Sequence, residues 1–125
     1  MMTFSNKNLP SSSLIVVCLV DSSIEQLIKV VLAKRGHQVF SVRNENALFD
    51  VLRMQSVDRI ILYSPMPNID ITRIQNQLLL YDNLSTIPVI VIFEMPLTES
   101  NNDYNATQFL SAPINPVELI QIIEA

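Results

Sequence analysis

The chain has 125 residues, 49% of them hydrophobic and 16% charged. That length suits one domain with its own core, and the balance of side chains excludes a wholly disordered protein. Twelve acidic residues against eight basic ones give a formal charge of -4. The basic residues, Lys7 in the tail and Lys29, Lys34, Arg35, Arg43, Arg53, Arg59 and Arg73 beyond it, are dispersed, so no continuous stripe exists to track a nucleic acid backbone. A single cysteine, Cys18, excludes an internal disulfide and fits a reducing cytoplasm.

Residues 1 to 13 are polar, contain Pro10 and end in Ser11-Ser12-Ser13, the composition of a disordered tail; the domain is expected over residues 14 to 125. Leu14 to Val20 is an apolar run about a third as long as a membrane span, and it reads as a first strand. A helix follows. Ile24, Leu27, Ile28, Val31 and Leu32 share one face, Ser22 with Glu25 makes a capping box, and Gly36, the only glycine, stands where a left-handed C-cap belongs.

Gln38 to Val42 reads as a second strand. Asn44 caps a helix through about Gln55 that buries Ala47, Leu48, Val51 and Leu52. Arg59 to Tyr63 is a third strand, followed by a helix from about Asp70 to Tyr81 burying Ile71, Ile74 and Leu78. Val89 to Phe93 and Gln108 to Ser111 are the last strands. A final helix starts at Asn115, with Pro116 in its first turn and Glu118 completing the cap.

Strands alternating with helices define an α/β domain around a parallel sheet. The first, third and fourth strands are almost wholly apolar, as strands covered on both faces must be, whereas the second and fifth mix in Gln38, Ser41, Gln108 and Ser111. Polar strands belong at edges. This selects the flavodoxin-like three-layer sandwich with five strands in the order 2-1-3-4-5, and function is then expected beyond the carboxyl ends of the strands.

The helix ending at Gly36, the stretch DRIILYSPMPNID (Asp58 to Asp70), the run IPVIVIF (Ile87 to Phe93) and QFLSAPINPVELI (Gln108 to Ile120) together resemble a response-regulator receiver domain over residues 14 to 125. The resemblance implies an acid pair for Mg²⁺ after the first strand, an aspartate nucleophile ending the third, a hydroxyl ending the fourth and a lysine before the final proline. In this chain those positions fall on Leu19 and Val20, Tyr63, Phe93 and Ala112. None keeps the required chemistry. Mg²⁺ needs oxygen ligands, and phosphoryl transfer needs charge compensation that apolar groups cannot supply. Tyr63 and Phe93 are expected side by side as a plug over the old site.

The segment Met95 to Thr107, with Pro96 and three asparagines, has no helical period. The fourth helix of the family is therefore expected to be short or absent, leaving an interaction loop that includes Met95, Pro96, Asp103 and Tyr104. Pro113 is where the family commonly has a cis peptide, with an ordinary trans proline as the alternative.

Several residues carry two readings. Cys18, inside an apolar strand, reads as an inert core thiol before a nucleophile. Asp21 reads as a cap or loop residue before a remnant metal ligand, with Glu94 near the same mouth. His37 has no ligand at metal spacing and reads as a surface or dipole-facing histidine. Ser64-Pro65-Met66-Pro67 is either a docking loop or a rigid turn.

The sequence thus points to a pseudo-receiver: a cytoplasmic protein-interaction module of bacterial two-component signalling, not an enzyme, taking no phosphate, cofactor or metal. Its expected partner is a protein, whether histidine kinase, output domain or other signalling protein, with no direct nucleic acid or membrane contact. Docking is expected through the first helix or through the fifth-strand edge, which could pair in a homodimer. The alternative is a divergent phosphoacceptor or phosphocarrier using Asp21 or Cys18. A flavodoxin-type cofactor binder is a third reading, against which the lack of a glycine-rich or Ser/Thr-rich phosphate loop counts.

Overall fold

The computed structural model describes residues 13–64, 70–93, 108–111 and 114–124. Residues 1–12 of the expected tail and the segment 95–107 lie outside them. Strands β1 (Leu14–Cys18), β2 (Gln38–Val42), β3 (Arg59–Ser64), β4 (Val89–Phe93) and β5 (Gln108–Ser111) form one parallel sheet in the order β2-β1-β3-β4-β5. The strand order drawn from edge polarity is the observed one.

Parallel neighbours need crossovers, and helices supply them. Helix α1 (Ser22–Ala33) joins β1 to β2, and α2 (Glu45–Met54) joins β2 to β3. Helix α3 (Ile71–Leu79) and the short α4 (Asp82–Ser85) lie between β3 and β4, and α5 (Pro116–Ile123) follows β5.

Burial explains the layering. Ile15 to Cys18 in β1, Ile60 to Tyr63 in β3 and all five residues of β4 are buried without alternation, so both faces of these strands are covered. In β2, Gln38 and Phe40 are exposed while Val42 is buried, the alternation of a strand with one open side. The helices complete the core with Ile28 and Leu32, Leu48 and Leu52, Ile71, Ile74 and Leu78, and Leu119 and Ile123. Each such buried aliphatic side chain stabilises the fold by roughly 1.5–3 kcal/mol.

Local signals at the helix ends hold with two exceptions. Asn44 Oδ1 accepts from the Ala47 amide at 2.8 Å. Asn115 Oδ1 accepts from Val117 and Glu118 at 2.9 and 3.2 Å, and Gly36 takes φ 90°, which other residues resist. The first exception is α1, capped by Asp21 and not by Ser22: Asp21 Oδ1 accepts from the amides of Ser23 at 2.8 Å and Ile24 at 3.0 Å. Glu25 is then one residue too late for a capping box. Its carboxylate instead accepts from Ser41 Oγ at 2.6 Å and meets Lys29 Nζ at 3.1 Å.

The second is the expected single helix from Asp70 to Tyr81. It stops at Leu79, Tyr81 takes an extended conformation, and α4 begins at Asp82 to bury Leu84. β1 also ends two residues early, at Cys18. The Leu19 amide still reaches the Val42 carbonyl at 3.0 Å before the chain turns into α1.

His37 departs furthest from expectation. It is not on the surface: its side chain is fully buried, with Nε2 3.0 Å from Glu124 Oε2 at the end of α5. Arg35 grips the same carboxylate through Nε at 2.9 Å and Nη2 at 2.7 Å. Ser13, placed in the tail by its sequence, donates its amide to His37 Nδ1 at 3.2 Å and accepts from the Gln38 amide at 2.9 Å. It belongs to the folded domain.

The Arg35 guanidinium first, then the His37 hydrogen bond, hold the Glu124 carboxyl down from its ordinary 4.5 to about 2, against the opposing effect of burial. Since the folded value lies below the unfolded one, this stabilisation is complete above about pH 4.5 and disappears as pH falls toward about 2. Glu124→Gln should lower the urea midpoint at neutral pH, and its gap from the parent should close on acidification through that window. Equal midpoints at neutral pH would refute the tie.

Candidate functional site

The carboxyl ends of β1, β2 and β3 and the first turns of α1, α2 and α3 meet at one edge of the sheet, where an α/β fold of this order places its chemistry. Leu19 is 1% exposed and joins the core. Val20 is exposed, and its carbonyl accepts from Arg43 Nη2 at 3.1 Å. Asp21, next in line, spends one carboxylate oxygen on two helix amides. The cap reading of this residue is the one its geometry supports.

At the end of β3, Tyr63 is 6% exposed, and at the end of β4, Phe93 is 8% exposed. The register pairs Tyr63 with Ile92 and Ser64 with Phe93. Because successive strand residues point to opposite faces, Tyr63 and Phe93 are rooted on opposite sides of the sheet. The expected side-by-side placement is thus corrected: β3 runs one residue further than the apolar run suggested, so the two side chains are one register step apart and leave opposite faces. Ala112, Pro113, Glu94, Pro65 to Pro67 and the loop residues Met95, Pro96, Asp103 and Tyr104 lie outside the described residues.

Charged groups at this edge pair with one another. Arg73 donates to Glu45 Oε1 from Nε at 3.1 Å and Nη2 at 2.6 Å, linking the first turns of α3 and α2. Asp70 Oδ1 accepts from the Arg73 amide at 3.1 Å and caps α3. Glu25 binds Ser41 and Lys29, and Arg43 Nη1 approaches it at 4.0 Å. The hydrogen bond from Ser41, then that from Lys29, holds the Glu25 carboxyl below its usual range. Arg73 is held above its usual range by the Glu45 hydrogen bond and charge. Among the described residues, no three His, Cys, Asp or Glu side chains are grouped so as to hold a metal ion.

Sequence reading missed these pairs. Arg73 and Glu45 lie 28 residues apart, and no local pattern marks a partner on a neighbouring helix. Beside them, a groove of about 470 Å³ separates α2 from α3 and α4, lined by Phe49, Leu52, Gln77, Tyr81 and Leu84 with Glu45 at its upper end. Leu79, the last residue of α3, and Leu80 and Tyr81 just beyond it are all exposed.

Cys18 lies one residue below this edge. It is fully buried, and burial, with the Glu45 carboxylate as a lesser cause, pushes its thiol up to about 12. A thiol held protonated and out of solvent is a poor nucleophile.

Similar solved structures were found for this arrangement. The receiver domain of the sensor histidine kinase PA1611 from Pseudomonas aeruginosa, with a magnesium ion coordinated in its active-site cleft, superimposes with a TM-score of 0.81 at 17% identity, over 90% of this chain and 95% of that one. The chemotaxis response regulator CheY4 of Vibrio cholerae gives 0.80 at 17% identity, over 90% and 98%. The receiver domain of a signal transduction histidine kinase from Syntrophus aciditrophicus gives 0.80 at 23% identity, over 90% and 88%. No family profile matches the chain, and no curated protein matches it. The chain therefore has the fold of response-regulator receiver domains, as the sequence motifs implied.

The burial of Cys18 yields a direct test. At mildly alkaline pH the native protein should leave its single thiol unmodified by a thiol-reactive disulfide reagent, and denaturation should expose one equivalent. Rapid modification of the native protein would contradict the core placement.

Proposed function

We propose that the chain is a pseudo-receiver: a non-enzymatic domain that takes no phosphoryl group and works by binding another signalling protein of a two-component pathway in the cytoplasm. The observation that carries this reading is the state of the edge where receiver chemistry would occur. Leu19 is part of the core, Val20 presents its carbonyl to an arginine, and a buried tyrosine stands where the resemblance would put the nucleophile.

The physical argument is one of charge. A carboxylate nucleophile and an Mg²⁺ ion need oxygen ligands, together with a cation to offset the charge that develops on the phosphoryl group. The nearest described acids are engaged in helix capping or ion pairing, and Arg73 is held by Glu45. Redirecting any of these groups would cost a cap or an ion pair. Cys18, the other candidate phosphate carrier, is buried and protonated.

A domain of this fold without phosphoryl chemistry has its surfaces left to work with, and its likeness to receiver domains of histidine kinases supports a histidine kinase or an output domain as the partner. Among the described residues no helix is long and apolar enough to cross a membrane.

Incubation with Mg²⁺ and acetyl phosphate, read by intact mass under neutral and acid conditions, should leave the protein unmodified. Addition of one phosphoryl group would overturn the proposal. Affinity capture from the native cytosol with mass-spectrometric identification should return a histidine kinase or an output-domain protein, and recovery of a metabolic enzyme or of nucleic acid alone would overturn the choice of partner.

A further inference from the structure

At the opposite edge of the sheet, the two ends of the described chain meet on one side chain. His37 follows the Gly36 turn, is fully buried, and is contacted from both sides. The Ser13 amide, immediately before β1, donates to Nδ1 at 3.2 Å, and Nε2 lies 3.0 Å from Glu124 Oε2 at the end of α5. An amide can only donate, so Nδ1 must offer its lone pair. The ring proton is then on Nε2, where the Glu124 carboxylate accepts it.

This pattern fits neutral histidine alone. A second proton can enter the ring only at Nδ1, and there it faces the Ser13 N–H, donor against donor. The Nε2–H bond to Glu124 is unaffected by that step and gains the attraction of opposite charges. Glu124 from α5 and Arg35 from the turn after α1 are the charged groups that the structure brings to the ring. From the β3 side, Asp58 takes the next amide of the chain, Leu14, through Oδ2 at 2.8 Å. The Ser13 carbonyl is separately held by the Gln38 amide at 2.9 Å.

We propose that His37 is a proton-operated latch on the start of β1: in its neutral form it holds the Ser13 amide, and as the imidazolium it releases that amide while keeping its bond to α5. The release is local. Leu14 remains held by Asp58, and Ser13 remains held through its carbonyl, so the sheet stays intact. The latch is independent of whether the opposite edge accepts phosphate.

Amide hydrogen exchange of Ser13 relative to Leu14 cancels the common dependence of exchange on pH and tests this directly, alongside ¹⁵N shifts of the His37 ring. In the full chain, Ser13 protection relative to Leu14 should fall about tenfold as His37 titrates, the order of magnitude of one lost hydrogen bond, and at neutral charge the ring should carry its proton on Nε2. A ratio that stays constant through the titration, or a neutral ring protonated on Nδ1, would overturn the proposal. His37→Gln should abolish the step; if that variant does not fold, the exchange ratio and the ring shifts of the parent still decide.

Discussion

Three central strands covered on both faces are the constraint from which the rest of this structure follows. β1, β3 and β4 are built from Ile, Val and Leu with few interruptions, and they are buried along nearly their whole length. Such strands cannot sit at an edge without exposing apolar surface on the scale of a whole core. The mixed strands β2 and β5 must flank them, helices must lie on both sides, and polar chemistry is confined to the two ends of the sheet.

Those two ends have different characters. At the carboxyl end, polar groups pair between elements: Arg73 with Glu45 joins the first turns of α3 and α2, and Glu25 of α1 holds Lys29 of the same helix and Ser41 of β2. The other end is dominated by one cluster in which α5 is tied to the turn after α1 through Arg35, His37 and Glu124. In an open α/β sheet the first arrangement occupies the region where ligands are usually received. The second closes the outer face of the sheet by joining its first and last helices.

Much of this was legible from residue order, and the misses fall into two kinds: partners far apart in the chain, and local signals that were ambiguous or absent. Strand order followed from the polarity of Gln38 and Ser41 against the apolar centre, and the caps at Asn44, Asn115 and Gly36 are local signals that the fold uses as written. Burial of His37 was not legible, because the partner that makes it tolerable, Glu124, lies 87 residues away. The same holds for Arg73 with Glu45. Asp21 displaced Ser22 as the cap because both are good capping residues, and the strand ended earlier than its apolar run. The stagger of Tyr63 and Phe93 depends on a register that neither strand encodes alone. The break between α3 and α4 falls within a stretch of Leu and Tyr that carries no stop signal.

The capping pattern has a consequence for the electrostatics of the carboxyl end. A parallel α/β layout aims the positive poles of successive helices at one edge, and unsatisfied first-turn amides there commonly receive an anion from solution. Here each of the four longer helices supplies its own oxygen at that pole, from Asp21, Asn44, Asp70 and Asn115. One or two first-turn amides of each of these helices are thereby held by the chain's own side chains and are not left for an anion from solution.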